Sequence, residues 1–248
     1  MRTAAMTAAM TDGPWLVLAA WPPELAHLKA ILPDLPQRVT QKVILACVGV
    51  GMIEAGIAAA RLVDRYHPSA AILVGTAGVY PGQADALGLG TAAIAHRLRL
   101  LPQILPGKHA FVPPIVPTMA RSSPALVRTL RRSSGLPCVD VACPLGITAT
   151  MAAALSAAKL SGCALENLEA FAVARAAAVA KVPFSAILGI ANHVGPRGHR
   201  QWQTHAKAAA ESACRAVLAA LEERLQAPAT APTRLCNPRV VAPPTRHG

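Results

Sequence analysis

The residues best suited to chemistry in this chain are acids and an amide placed at the ends of predicted elements. Glu166 and Glu169 lie in LENLEAFAVARAAAVA, which runs from Leu165 to Ala180. Both fall where a helix is predicted to begin, and the helix dipole and free backbone N–H groups favour acids there. For Glu166 that helix-start reading is sufficient. Glu169 differs because Ala170, Ala172, Ala174 and Ala176 follow it, and such small residues let a helix pack tightly on a sheet. A carboxylate on a helix of that kind is either exposed or aimed at a cleft. Glu24 follows a predicted strand, at the end of the strand where open α/β sheets bind ligands. A plain helix-start acid is its alternative. Asn192 closes the apolar run FSAILGIAN, where an amide either serves a ligand or satisfies loop backbone. Carboxylates so placed hold hydroxyls or take protons, and an amide donates and accepts at once.

The elements that must position these groups read as strands alternating with helices. WLVLAA, from Trp15 to Ala20, is a short apolar run bounded by Pro14 and Pro22, hence a buried strand. Pro23, Glu24 and Leu25 start a helix whose apolar face is Leu25, Leu28 and Leu32. Val43 to Val50 is a second strand, followed by Gly49, Gly51 and a helix from about Ile53 to Tyr66. A dinucleotide fingerprint fails there because Glu54 stands where a small residue is needed, and no G-x-x-x-x-G-K-[ST] loop occurs. Ala70 to Val74 is a third strand, ending in the predicted turn Gly75-Thr76-Ala77-Gly78. Glycines in such a turn let backbone approach a ligand closely. Further strands are expected at Ala92–His96, Pro137–Ala142 and Pro183–Ala191. Helices are expected at Pro124–Arg132, Ala149–Leu160 and Gln201–Leu225. Residues 99–124 are Pro-rich and irregular, the composition of a lid or partner surface. Alternating strands and helices argue a mostly parallel, three-layer α/β fold.

LENLEAFAVA resembles the Met-Glu-Gly-Ala-Ala signature of the nucleoside phosphorylase and nucleosidase superfamily, with Leu168 in place of the Met. The order of the other motifs agrees over roughly residues 15–222. Gly49-Val50-Gly51-Met52 is similar to a Gly-x-Gly-Lys segment, with Met52 for the Lys, and Gly75-Thr76-Ala77-Gly78 to the Gly-Ser/Thr-x-Gly turn. ANHVGPRGHRQW, from Ala191 to Trp202, resembles the matching segment of futalosine hydrolases, on Asn192, Arg197 and Trp202. The resemblance implies a mixed central sheet, partly closed into a barrel, with flanking helices. It implies that Glu169, with Leu168 and Thr76, holds the ribose. Gly75 and Gly78 shape the place of the nucleophile, and Glu24 activates water. Asn192 serves the leaving purine, where adenine-specific relatives carry Asp, which points to hypoxanthine. Arg197 and Trp202 are base-pocket candidates, a surface basic loop being the alternative. Phosphorylases carry Arg where this chain has Glu24 and Leu73, because phosphate demands bidentate cations. The implied reaction is hydrolysis of a futalosine-type nucleoside, on the futalosine route to menaquinone. A phosphate-dependent phosphorylase and a nucleoside-binding protein without turnover are the alternatives. Homo-oligomers are implied as well.

Composition bounds these expectations. The chain has 248 residues, enough for one α/β domain, expected at 14–225 between a flexible start at 1–13 and a disordered tail at 226–248. The six cysteines form no C-x-x-C pair, so neither a metal site nor a disulfide framework is expected, and no cofactor. The net charge of +12 is spread along the chain with few aromatics, which argues against nucleic acid as a partner. It would steer anionic substrates. No apolar window is long enough to span a membrane. The N-terminal stretch makes a poor signal peptide, so the expected address is the cytoplasm.

Overall fold

A computed structural model describes residues 13–83, 87–102 and 112–226. The expectations for the flexible start, for the middle of the Pro-rich segment and for the tail beyond Gln226 lie outside the described residues.

The order of elements is β1 (Trp15–Ala19), a 3₁₀ turn (Pro22–Leu25), α1 (Ala26–Ile31), a second 3₁₀ turn (Leu32–Asp34), α2 (Gln37–Thr40), β2 (Val43–Cys47) and α3 (Met52–Tyr66). Then come β3 (Ala70–Val79), β4 (Ala92–Leu100), β5 (Met119–Arg121), α4 (Pro124–Ser134) and β6 (Cys138–Cys143). The chain continues through α5 (Met151–Ser161), β7 (Leu165–Glu166), α6 (Ala170–Val179), β8 (Phe184–His193) and α7 (Gly198–Gln226).

The sheet is mixed and closes on itself. Strand β3 pairs with β8, β8 with β4, β4 with β6, β6 with β7, and β7 with β3 again. Strands β1 and β2 extend one side of that ring in parallel, and β5 pairs antiparallel on β4. Closure removes edges that would otherwise leave backbone groups unpaired. It also explains why β3 runs straight through the expected Gly75–Gly78 turn: β8 pairs along its whole length and β7 takes its end.

Side chains alternate across the sheet with the strand period. Leu16 and Leu18 of β1 pack with α3 and α6, whereas Trp15, Val17 and Ala19 pack with α1, α4 and α7. Gly189 on β8 lets α7 lie directly on the sheet, since a Cβ there would stand 2.0 Å from the Ala209 carbonyl oxygen. Gly162 ends α5 in the left-handed conformation expected of it (φ 62°).

Four further expectations change. Glu166 does not open a helix: it lies on β7, a two-residue strand bridging β3 and β6. The helix begins only at Ala170, with Glu169 at its N-cap. The helix expected after Pro23 is instead a 3₁₀ turn, α1 and a further 3₁₀ turn containing Pro33. Finally, the supposedly irregular residues after 99 include the end of β4 and all of β5.

Candidate active site

The ends of β1, β3, β7 and β8 meet around a cavity of about 370 Å³. Glu24 enters it from the turn after β1 and is only 6 % exposed. Its Oε2 accepts from the Ala20 N–H at 3.1 Å, and its Oε1 accepts from the Thr76 N–H at 2.9 Å and the Thr76 hydroxyl at 3.1 Å. The indole N–H of Trp202 donates to the same hydroxyl oxygen at 3.1 Å. An indole can only donate, so the single proton of Thr76 is committed to Glu24. Burial, then the neighbouring Glu169 charge, push the Glu24 carboxyl up to about 7 against the pull of the Thr76 and Ala20 hydrogen bonds.

Glu169 faces it at the start of α6, also 6 % exposed. Its Oε1 accepts from the Gly51 N–H at 2.8 Å and its Oε2 from the Asn167 amide at 3.0 Å. Burial is the main cause of its raised pKa. Asn167 links Glu169 to Thr76, the residue that donates to Glu24. Its Oδ1 accepts from the backbone N–H groups of Glu169 and Ala170, where α6 begins. Its amide nitrogen therefore points the other way, to Glu169 and to the Thr76 carbonyl at 3.1 Å.

Asn192 stands at the opposite wall. The β3–β8 register shifts between Ala77 and Gly78, so that Asn192 rather than Ala191 sits beside Gly78. A bulge of this kind re-aims a side chain. Gly78 leaves the room for it, since a Cβ there would lie 2.9 Å from the Asn192 Nδ2. That nitrogen donates to the His193 carbonyl at 3.0 Å, which leaves Oδ1 facing elsewhere. Trp21 and Trp202 pack with ring centroids 5.8 Å apart, and His199 stacks on Trp202 at 6.2 Å. No Arg or Lys is among the described residues lining the cavity, and no cluster of potential metal ligands occurs among the described residues.

A family model described as "Phosphorylase superfamily" matches residues 17–222. The chain belongs to the phosphorylase superfamily. Its fold is similar to that of a 5′-methylthioadenosine/S-adenosylhomocysteine nucleosidase of Colwellia psychrerythraea in complex with adenine. That likeness has a TM-score of 0.76 at 18% identity and covers 86% of this chain and 96% of the other. Futalosine hydrolase of Helicobacter pylori matches with a TM-score of 0.76 at 12% identity, over 85% and 98% of the two chains. The methylthioadenosine nucleosidase of Neisseria meningitidis, in complex with methylthio-immucillin-A, gives 0.75 at 15%, over 86% and 99%. No curated protein sequence matches the chain.

Within this superfamily member, Glu24, Thr76, Gly78, Leu168, Glu169, Asn192 and Trp202 all line one cavity. Gly75 lies in β3 behind Glu24, its Cβ direction 3.4 Å from the Glu24 Oε1. Arg197 is exposed and does not line the cavity, where His199 stands instead. Met52 lies outside it too, on a groove between α3 and α6. The sequence reading set Glu166 aside as a helix-start acid and passed over Asn167, Trp21 and Ile147, all four on the cavity wall. The only signal for the first two was their place immediately before Leu168 and Glu169.

Proposed function

We propose that this protein hydrolyses the N-glycosidic bond of a purine nucleoside, with water as nucleophile and hypoxanthine as the leaving base. A futalosine-type substrate is the form that Asn192 and Trp202 favour, by their match to futalosine hydrolases, and it belongs to the futalosine route to menaquinone. The observation that carries the reading is Glu24. It is a buried acid poised near neutrality, hydrogen-bonded by Ala20 and Thr76, in a cavity whose described lining holds no Arg or Lys. A phosphate there would face two carboxylates and no cation. Water would be deprotonated.

Glycoside cleavage passes through an oxocarbenium-like sugar. Glu169 accepts from ribose hydroxyls, a grip that strengthens as positive charge develops on the ring. Asn192 accepts from the N–H of the departing purine through its Oδ1. The comparison proteins bearing nucleosidase and hydrolase names support the class. The same proposal includes a homo-oligomer in the cytoplasm. In support of the oligomer, Val50 and Ile147 on the cavity wall are exposed, as are Ile53 and Ile57 of α3, Leu145, and Met151 of α5. No helix among the described residues is long and apolar enough to cross a membrane.

The test is free hypoxanthine released from futalosine and from inosine, each with and without phosphate, by wild type and Glu24→Gln. Phosphate-independent release, lowered about 10²–10⁴-fold in the variant, is expected. Release that requires phosphate would make the enzyme a phosphorylase. Binding without release of any base would make it a nucleoside-binding protein.

A further inference from the structure

Beside the cavity, strand β3 runs for a few residues with one edge unpaired. β8 pairs along its other edge from Ala71 to Val79. On the cavity edge, β1 pairs from Ala70 to Leu73 and β7 only at Gly78 and Val79. Backbone N–H and C=O groups left between two such strands must find other partners. At Thr76 side chains supply both. Its N–H donates to the Glu24 Oε1 at 2.9 Å, and its carbonyl accepts from the Asn167 amide at 3.1 Å. One residue of β3 thus holds Glu24 by its N–H and Asn167 by its carbonyl.

Asn167 is 6 % exposed, and its side chain has nothing left over. An amide has two N–H donors and an oxygen with two lone pairs. The nitrogen donates to the Thr76 carbonyl and, at 3.0 Å, to the Glu169 Oε2. The oxygen accepts from the backbone N–H groups of Glu169 at 3.0 Å and Ala170 at 2.8 Å. Its own backbone N–H donates to the Ala142 carbonyl at 3.1 Å, so β6 fixes where the side chain starts. Asn167 therefore lines the cavity without a donor or acceptor to offer a ligand. Glu169 is held by one N–H on each oxygen, Gly51 on Oε1 and Asn167 on Oε2. A carboxylate offers about four lone-pair sites, so each oxygen keeps one, and these two donors decide where those point.

We propose that Asn167 is a positioning residue: it turns the Glu169 carboxylate so that its remaining lone pairs meet the ribose hydroxyls, and it ties that carboxylate to the strand residue that holds Glu24. This inference rests on the purine nucleoside reading and deepens it. A grip on the sugar speeds cleavage only when it sets the anomeric carbon at the right distance from the attacking water. Through Thr76, the grip and the acid that activates the water share one anchor. An acid at this position would keep an oxygen for the start of α6. It would also replace the donating nitrogen by an acceptor aimed at Glu169 and the Thr76 carbonyl. Glu24, Glu166 and Glu169 already line the cavity and no Arg or Lys among the described residues does, so no cation would offset it.

The test uses whichever ribonucleoside is cleaved faster, futalosine or inosine, and its 2′-deoxy analogue, which lacks one hydroxyl that Glu169 would accept. Values of kcat/KM for both are measured from about pH 6 to about pH 9 in wild type, Asn167→Asp and Asn167→Ala. Relative to wild type at the same pH, Asn167→Asp should lower the ribo-to-deoxyribo ratio about tenfold at the alkaline end. The ratio should recover toward the acidic end, because a carboxyl that gains a proton donates again. Asn167→Ala supplies no donor at any pH and should keep the lowered ratio throughout. If that variant does not fold, the pH-dependent ratio of Asn167→Asp decides alone. Losses of equal size for the two sugars, or no loss, would overturn the proposal and leave Asn167 a fastening for the start of α6. A wild type that cleaves both sugars equally well would overturn it as well, with the nucleosidase reading intact. A wild type that releases no base from either ribonucleoside would overturn both.

Discussion

Two regions of this protein hold a largely buried acid, and they treat it in opposite ways. On the outer face of the barrel, Asp140 of β6 meets Arg97 of β4. The Arg97 Nε donates to it at 2.7 Å, the Arg97 backbone N–H at 3.1 Å, and His96 stands 3.3 Å away. Burial alone would push Asp140 up, but the Arg97 hydrogen bonds and charge hold its carboxyl below the usual range. In the cavity, Glu24 has backbone and hydroxyl donors but no cation, and its acid neighbour Glu169 adds to the desolvation. The difference teaches where chemistry is to be sought. A satisfied ion pair fixes strands, whereas an acid left without a cation is kept at a pKa where it can exchange protons.

The comparison breaks most easily on pH. If Glu24 is the base, activity should rise through pH 7 and fall about 100-fold by pH 5, as the ionised fraction falls to about one per cent. Stability should run the other way. The folded-state pKa of Glu24 lies above its ordinary value of 4.5, so its contribution is full below that value and is lost as pH rises to about 7. The loss is on the order of 3 kcal/mol, and thermal melts of Glu24→Gln should be flatter across this window than those of wild type. Asp140 has the opposite sign, since its stabilising contribution disappears as pH falls through its lowered pKa. A smaller effect is expected from Thr76→Val, which removes the hydroxyl on Glu24 but leaves the backbone N–H. Turnover should fall about tenfold, and the acidic limb should move to higher pH. Smallest is Asp140→Asn. Activity should stay within about twofold of wild type, and the melting temperature should fall by a few degrees at low salt and by less at high salt. Loss of activity in that variant comparable to Thr76→Val would end the distinction between the two regions.

Much of this was legible in the sequence because apolar runs and helix stops are local signals. Strands β1, β2, β6 and β8 and helices α3, α4, α5 and α7 lie within a few residues of their expected places, and β3 and β4 begin where expected. Glu24, Glu169 and Asn192, which line the cavity, drew notice in the sequence because each stands near an element end. What stayed hidden depends on closure of the barrel. A strand of two residues, Leu165–Glu166, has no periodicity to read, so Glu166 passed for a helix-start acid. The register shift that brings Asn192 to Gly78 exists only when β3 and β8 pair. Glycines 75 and 78 looked like a turn, but they serve as strand positions without side chains, against which Glu24 and Asn192 pack. Arg197 stood out by charge and motif, and the start of α7 turns it to solvent while His199 and Trp202 face the cavity.

The hydrogen bond from Trp202 to Thr76 has a use apart from holding a proton. The protein contains three tryptophans, and Trp21 and Trp202 sit together on the cavity wall, while Trp15 is buried in the core. A ligand entering the site must change the polarity around an indole pair that is already in contact and partly wet. Intrinsic emission should therefore report occupancy without any label, against a constant signal from Trp15, and it should do so before a bond is broken. Arrival of a ligand and its consumption then become separately visible on one timescale, even in a variant that has lost turnover.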